Sequence, residues 1–264
     1  MSFLNRIWRS VLIAPFLIAT AHAVTLDWDT VSWTAGSLNN SYDVDPARPG
    51  NDVTVTISGD TPQLTLETVA PNPMTPAITT DFEGGLGTAQ NSLCLAVNLA
   101  NQSQSVTVTI NFSAQYTLGV QNVSLTLFDV DFSATTGNTF QDQLRSITAT
   151  SVDGVTLVAP TITTSANNTL SGPGVVDGIV STVDTGPGSG NGNVTISFGS
   201  AAIKSFTFTY GSGSGTVADP TYQHIGLSDI TFTPVPEINP AWTAVGSCLL
   251  AAALILRHSA KFRK

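Results

Sequence analysis

Along most of the chain apolar residues alternate with Thr, Ser and Asn over short runs, the period-two signature of strands with one buried face. Val53, Val55 and Ile57 form one such face, and Val106, Val108, Ile110 and Phe112 form another. Val194, Ile196 and Phe198 make a third, with Phe206, Phe208 and Tyr210 as a fourth. The same pattern predicts strands over Leu26 to Thr34, Leu64 to Glu67, Leu93 to Val97 and Val123 to Val130. It adds Ile147 to Thr150, Val155 to Val158 and Ile225 to Thr233. Helical periodicity is nearly absent from this stretch, and Gly- and Pro-rich joints punctuate it at SGPG from Ser171 and TGPGSGNGN from Thr185. Many short strands with such joints predict an all-β body over 24–233: a two-sheet antiparallel β-sandwich of jelly-roll type.

Two of the runs change phase midway. Leu125 and Leu127 give way to Phe128 and Val130, and Ile225 and Leu227 give way to Ile230 and Phe232. A one-residue slip turns every later side chain to the opposite face, so each run predicts a bulge or a crossing between sheets. Asp129 and Asp229 stand at these irregular points.

The two ends break the alternation. Residues 1–23 run from a basic start through the apolar Val11 to Ile18 and on to small residues at Ala21 and Ala23, the layout of a cleaved signal peptide. An eight-residue helix rises only about 12 Å, too little to span a bilayer, so a signal helix removed after Ala23 is expected. At the other end, prolines at 234, 236 and 240 precede an apolar run, Ala241 to Leu256, and a basic terminus. Sixteen residues give about 24 Å of helix, a marginal transmembrane span that needs Trp242 at one interface and Lys261 at the other. Basic residues beyond that run favour the cytoplasmic side and place the body across the membrane. The prolines disfavour helix at the residues before them, so an extended, protease-accessible neck is expected between body and span. A plain tail anchor with a Pro-rich neck is the competing reading.

Taken together, Val235, Pro236 and Glu237, the apolar helix and the Arg/Lys terminus resemble the PEP-CTERM sorting signal over 234–264. Ile238 departs from the proline common in third position, with Pro240 following shortly. LFDVDF, FQDQ and QHIGLSDITFTPVPE are also similar to ectodomains of PEP-CTERM proteins. The resemblance implies passage through the secretion machinery and transient anchoring in the inner membrane. It further implies recognition of the Pro-Glu segment by an exosortase-like enzyme, then delivery to the outer surface or the extracellular matrix. It implies no catalytic residues.

Charge narrows the partners. Six of the nine basic residues lie at the ends, and the body from Val24 keeps three against 17 acids, a net of −14. Such a surface repels a phosphate backbone, so no nucleic acid is expected. Cys94 is alone in the body, which rules out an internal disulfide and a Cys-rich zinc site there. With no basic neighbour in sequence it reads as a small buried hydrophobe. His224 is the body's single histidine, and Asp27 with Asp29 or Asp129 with Asp131 are too closely constrained to flank a sugar bond alone. No enzyme is therefore expected, and a polysaccharide-active one is the weakest alternative. Asp129, Asp131, Asn138 and Asp142 bring hard oxygen donors together, so calcium is the one cofactor anticipated, against the plainer reading of solvated strand ends. Trp28, Trp33, Tyr42 and Tyr222 offer an aromatic platform for an exopolysaccharide, against core packing for both tryptophans. The expectation is an adhesive or structural surface protein, with a calcium-stabilised carbohydrate-binding module as the alternative.

Overall fold

The computed structural model describes residues 22–64, 69, 71–86, 90–135, 138–181, 188–220 and 223–237. Within them His22–Val235 forms a compact unit. Both expected flanking helices, over 11–18 and 241–256, lie outside the described residues, as do Ala21 and Tyr222. No helix among the described residues is long and apolar enough to cross a membrane.

Among the described residues the body is all-β apart from two single 3-10 turns, Thr61–Gln63 and Gly190–Gly192. Its strands are β1 (Val24–Leu26), β2 (Asn39–Tyr42), β3 (Val53–Gly59), β4 (Ala77–Thr79), β5 (Ser92–Val97) and β6 (Ser105–Phe112). Then come β7 (Val120–Phe128), β8 (Phe132–Thr135), β9 (Asn138–Ser151), β10 (Leu157–Val158), β11 (Thr161–Thr164) and β12 (Asn168–Gly172). The last six are β13 (Val175–Gly178), β14 (Val180–Ser181), β15 (Val194–Ser197), β16 (Ile203–Ser212), β17 (Gln223–Leu227) and β18 (Ile230–Pro234).

Pairing is antiparallel throughout except between β14 and β8. One ladder runs β2–β3–β6–β16–β9 and continues from β9 to β13 and β12. The other is centred on β7, which pairs β15 and then β11 on one edge. On its other edge it meets β17, followed by β5 and β4, and also β18, followed by β1. The ladders join where Ile203 pairs Val120. Their apolar faces meet at Phe112 and Phe232, 5.0 Å between ring centroids, and at Phe198 and Phe206, 5.5 Å apart. The alternating aliphatics of β3, β6, β7, β15 and β16 fill the space between. Thr rows form on the outward faces, with Thr107 hydrogen-bonded to Thr209 at 2.9 Å and Thr126 to Thr195 at 3.0 Å. Cross-strand hydroxyl pairs of this kind let a sheet meet water with few charges.

The phase changes are realised as chain breaks. β7 stops at Phe128 and Asp129 takes φ 65°, a left-handed turn that Asp tolerates better than most side chains. The run from Ile225 is cut at Ser228–Asp229 into β17 and β18, and both halves lie along β7. Of the strand expected over Leu64 to Glu67, Leu64 caps the first 3-10 turn and residues 65–67 lie outside the described residues. The strand expected over Leu26 to Thr34 fails. Beyond Leu26 the chain turns, because the Asp27 side chain accepts from Asp29 N at 2.8 Å and its carbonyl accepts from Thr30 N at 3.1 Å. An aspartate that hydrogen-bonds its own backbone favours a turn over a strand. The expected neck is also shorter than its prolines suggest. Pro234 is buried as the last residue of β18, paired with Val120, and Val235 N donates to the Gly119 carbonyl at 3.1 Å.

Candidate functional site

The predicted oxygen donors fall where β7 hands over to β8 and β9. Along β9 the alternation Phe140, Asp142, Leu144 puts the Asp142 carboxyl on the buried face. One of its oxygens accepts from Tyr210 Oη at 2.7 Å and Gln223 Nε2 at 3.0 Å. The other accepts from Asp131 N at 3.2 Å, while Asp142 N donates to the Asp131 carbonyl at 2.9 Å. Ser212 Oγ donates to Gln223 Oε1 at 2.8 Å and closes the network. Burial pushes the Asp142 carboxyl well above its ordinary value and the Asp131 charge adds to that, outweighing the donors that favour the anion. Burial and the same carboxylates push the Tyr210 hydroxyl up as well.

This arrangement does not make the calcium set expected from Asp129, Asp131, Asn138 and Asp142. Calcium takes six to eight oxygen ligands at about 2.3–2.6 Å, whereas both oxygens of Asp142 already receive protein N–H or O–H donors. Among the described residues no group of three or more acidic, His or Cys side chains is arranged to hold a metal ion. The side chain of Asn138 lies outside the described residues.

Asp129 looks the other way, onto the outer face of β5 and β17. Its Oδ2 lies 3.5 Å from His224 Nε2, and the His224 ring stands edge-on to Phe82 at 4.5 Å. Beneath them Val69, Phe82, Cys94, Ala96 and Phe128 form a second small core. Cys94 is directly opposite Gly226 on β17. A thiol beside a His and an Asp is a nucleophile only as thiolate. Here burial first, then the Asp129 and Asp81 charges, push the thiol well above its ordinary value and keep it neutral.

The aromatic platform is not available as drawn. Trp28, Trp33 and Tyr42 are all buried in the main core, and Trp28 meets both others edge-on, at 6.4 and 6.0 Å. The Trp28 indole N–H donates to the Ser228 carbonyl at 2.9 Å, and burial pushes the Tyr42 hydroxyl up to about 12. An aromatic that stacks on a sugar must offer an open face, so these three pack rather than bind.

No protein-family model matches the chain, and no curated protein matches it. Among solved structures the chain is similar to the crystal structure of the N-terminal domain of the Streptococcus gordonii adhesin Sgo0707. The identity is 12%, and the match covers 68% of this chain and 42% of that one, with a TM-score of 0.28. At that score the likeness bears on neither fold nor function.

A third cluster went unseen in the sequence. Asp45 and Asp52 are fully buried side by side. Tyr116 Oη donates to Asp52 at 2.8 Å and lies 3.4 Å from Asp45, while Val44 N and Asp45 N donate to Asp52 at 2.9 and 2.7 Å. Arg48 approaches Asp45 at 3.8 Å and stacks 4.8 Å over the Tyr116 ring. His22, assigned by sequence to the leader, reaches Asp45 at 3.1 Å. Neither carboxylate belongs to an alternating run, so no local pattern in the sequence marks it as buried. Of the sorting residues, Val235 is half-buried, Pro236 exposed and Glu237 half-buried, while Ala23 is exposed beside the expected leader junction.

Proposed function

We propose that this is an exported, non-enzymatic surface or matrix protein, a two-sheet sandwich delivered through its tail by an exosortase-like enzyme. The observation that carries the reading is where the last described strand ends. β18 ends at Pro234, Val235 N donates to the Gly119 carbonyl, and Pro236 is exposed. The Val235–Pro236–Glu237 motif thus begins where a processing enzyme could first grip an extended chain. The two ladders with their shared core support the sandwich part of the jelly-roll expectation. A non-enzymatic role is supported by a neutral, buried Cys94 and by carboxylates tied up in internal hydrogen bonds. An adhesive or structural role needs only a stable body on an extended tether.

Cells with and without the sorting enzyme, fractionated before mass measurement of the exported chain, test this reading. A mature chain that starts near Val24 and ends shortly after Glu237 only when the enzyme is present supports it. An exported chain that retains Lys264 in both strains overturns it in favour of a plain tail anchor.

A further inference from the structure

Several features gather at one end of the body. β18 runs out there at Pro234 beside Val120, β16 begins there at Ile203, and β9 finishes there at Ser151, paired with Ile203. The chain also enters there, since Val24 of β1 lies opposite Phe232 near the outgoing end of β18. His22 sits on Asp45, which shares Tyr116 of the 113–119 turn. Beyond Ser151 the β9–β10 hairpin projects further, closed by Gly154 N on the Ser151 carbonyl.

This end is tipped with aliphatic side chains open to solvent. Val155 is 79% exposed, Leu157 68% and Leu118 45%. Leu118 belongs with the hairpin, because a β-carbon on the adjacent Gly119 would meet Val152 Cγ1. Charge is sparse on the hairpin, where Asp153 feels the opposite charge of Lys204. Large aliphatics on projecting turns, uncovered and with little charge, fit a hydrocarbon boundary better than water.

Chain length supplies the occupant. Ala241, the first residue of the apolar run, follows Val235 by six residues, and six residues reach no more than about 20 Å whatever their path. While that run is in a bilayer, the exit end of the body cannot stand far from the lipid. We infer that the Leu118, Val155 and Leu157 end is a lipid-contact surface, seating the body on the outer leaflet of the membrane that anchors it. The inference rests on the anchoring stage of the proposed function and adds an orientation to it.

The test uses the full chain with Cys248→Ser and a single new thiol, Val155→Cys or Ser214→Cys, carrying an environment-sensitive fluorophore. Cys94 is buried and does not compete for the label. Ser214 is exposed in the turn after β16, at the far end of that strand from Ile203. The chain is reconstituted into phosphatidylcholine vesicles, with and without acyl chains brominated near the headgroup. Bromine should quench the label at 155 several-fold more than the label at 214. Leu118→Asp with Leu157→Asp should bring the two together without moving the thermal midpoint. Chain that floats with the vesicles but is quenched equally at both positions overturns the inference and leaves the sorting reading standing. Shielding at 155 that follows protein concentration in detergent, with no bromine effect, assigns the surface to a second copy and also overturns it. Failure to float with vesicles at all removes both the anchor and the inference.

Discussion

At the scale of single residues the structure separates packing from binding. Trp28→Ala removes a buried indole, two edge-on ring contacts and the donor to Ser228. Burial of that kind is worth about 3–5 kcal/mol, so the denaturation midpoint should drop sharply, whereas a solvent-facing sugar platform would leave it unmoved. Asp142 gives a pH signature. Its folded-state pKa lies above the ordinary 3.8, so the folded form holds a proton that the unfolded chain has released. The stability this contributes is fully present below the ordinary value and is lost as pH rises toward the folded value. Asp229, raised by burial and then by Asp27 and Asp29, has the same sign. Asp142→Asn cannot titrate but turns an amide donor toward Asp131 N, an offset of about 1–3 kcal/mol. In denaturant titrations from pH 4 to 8, wild type should be favoured over the variant most at the acid end, and the gap should narrow as pH rises. A gap that widens with pH would mean that Asp142 is charged in the fold. The burial of Asp142 was legible, since Phe140 and Leu144 flank it at spacing two and the alternation that found the strands puts it inward. Reading it as a metal ligand weighted residue type over position. Asp45 and Asp52 carried no such signal, because their burial comes from a turn folding back on Tyr116.

At the scale of elements, local alternation located β3, β6, β7, β15 and β16 because each has one apolar face against one common core, while β5 was located as an apolar run that is buried on both faces. It also marked the breaks at Asp129 and Asp229. The short β2, β4 and β8 and the β11–β14 stretch lack a clean period and were found only by their partners. The order of strands was not legible either. From β3 through β5, β6, β7, β9, β15, β16 and β17 each successive strand lies in the other ladder, a pattern set by long-range pairing and not by local sequence. One close approach holds the β13 side of this arrangement. A β-carbon at Gly178 would fall within the backbone carbonyl of Asp131, which cannot move because Asp142 N is bound to it. Overpacking against side chains costs about 1–3 kcal/mol, and backbone gives less readily, so Gly178→Ala should cost at least the upper figure. Gly188→Ala, with nothing within reach of its β-carbon, serves as the control in the same urea titration. Equal midpoints for the two variants would show that β13 does not pass so close to Asp131.

At the scale of the whole molecule, the first strand of the body is held by the last. Among the described residues β1 pairs only β18, and β18 also lines β7 while setting Phe232 against Phe112 and Tyr116, 5.0 and 5.8 Å between ring centroids. Removing β18 therefore strips β1 of its partner, opens an edge of β7 and leaves a hole in the shared core. Those losses fall on one cooperative unit, so they act together rather than as separate increments. A chain cut after Asp229 should then show no cooperative unfolding transition and should be digested by protease at the rate of an unfolded chain. A chain cut after Val235 keeps every pairing of β18 and the bond to Gly119, and should unfold at the same midpoint as the full-length protein. Six residues thus separate an unfoldable chain from a complete one. A body whose closure waits for its last strand folds only once that strand is free to pair, the order of events that the proposed export would need. Such long-range closure is slow, on the order of milliseconds to seconds. Protease resistance gained by the shorter chain would place the closing contacts elsewhere and separate folding from emergence of the tail.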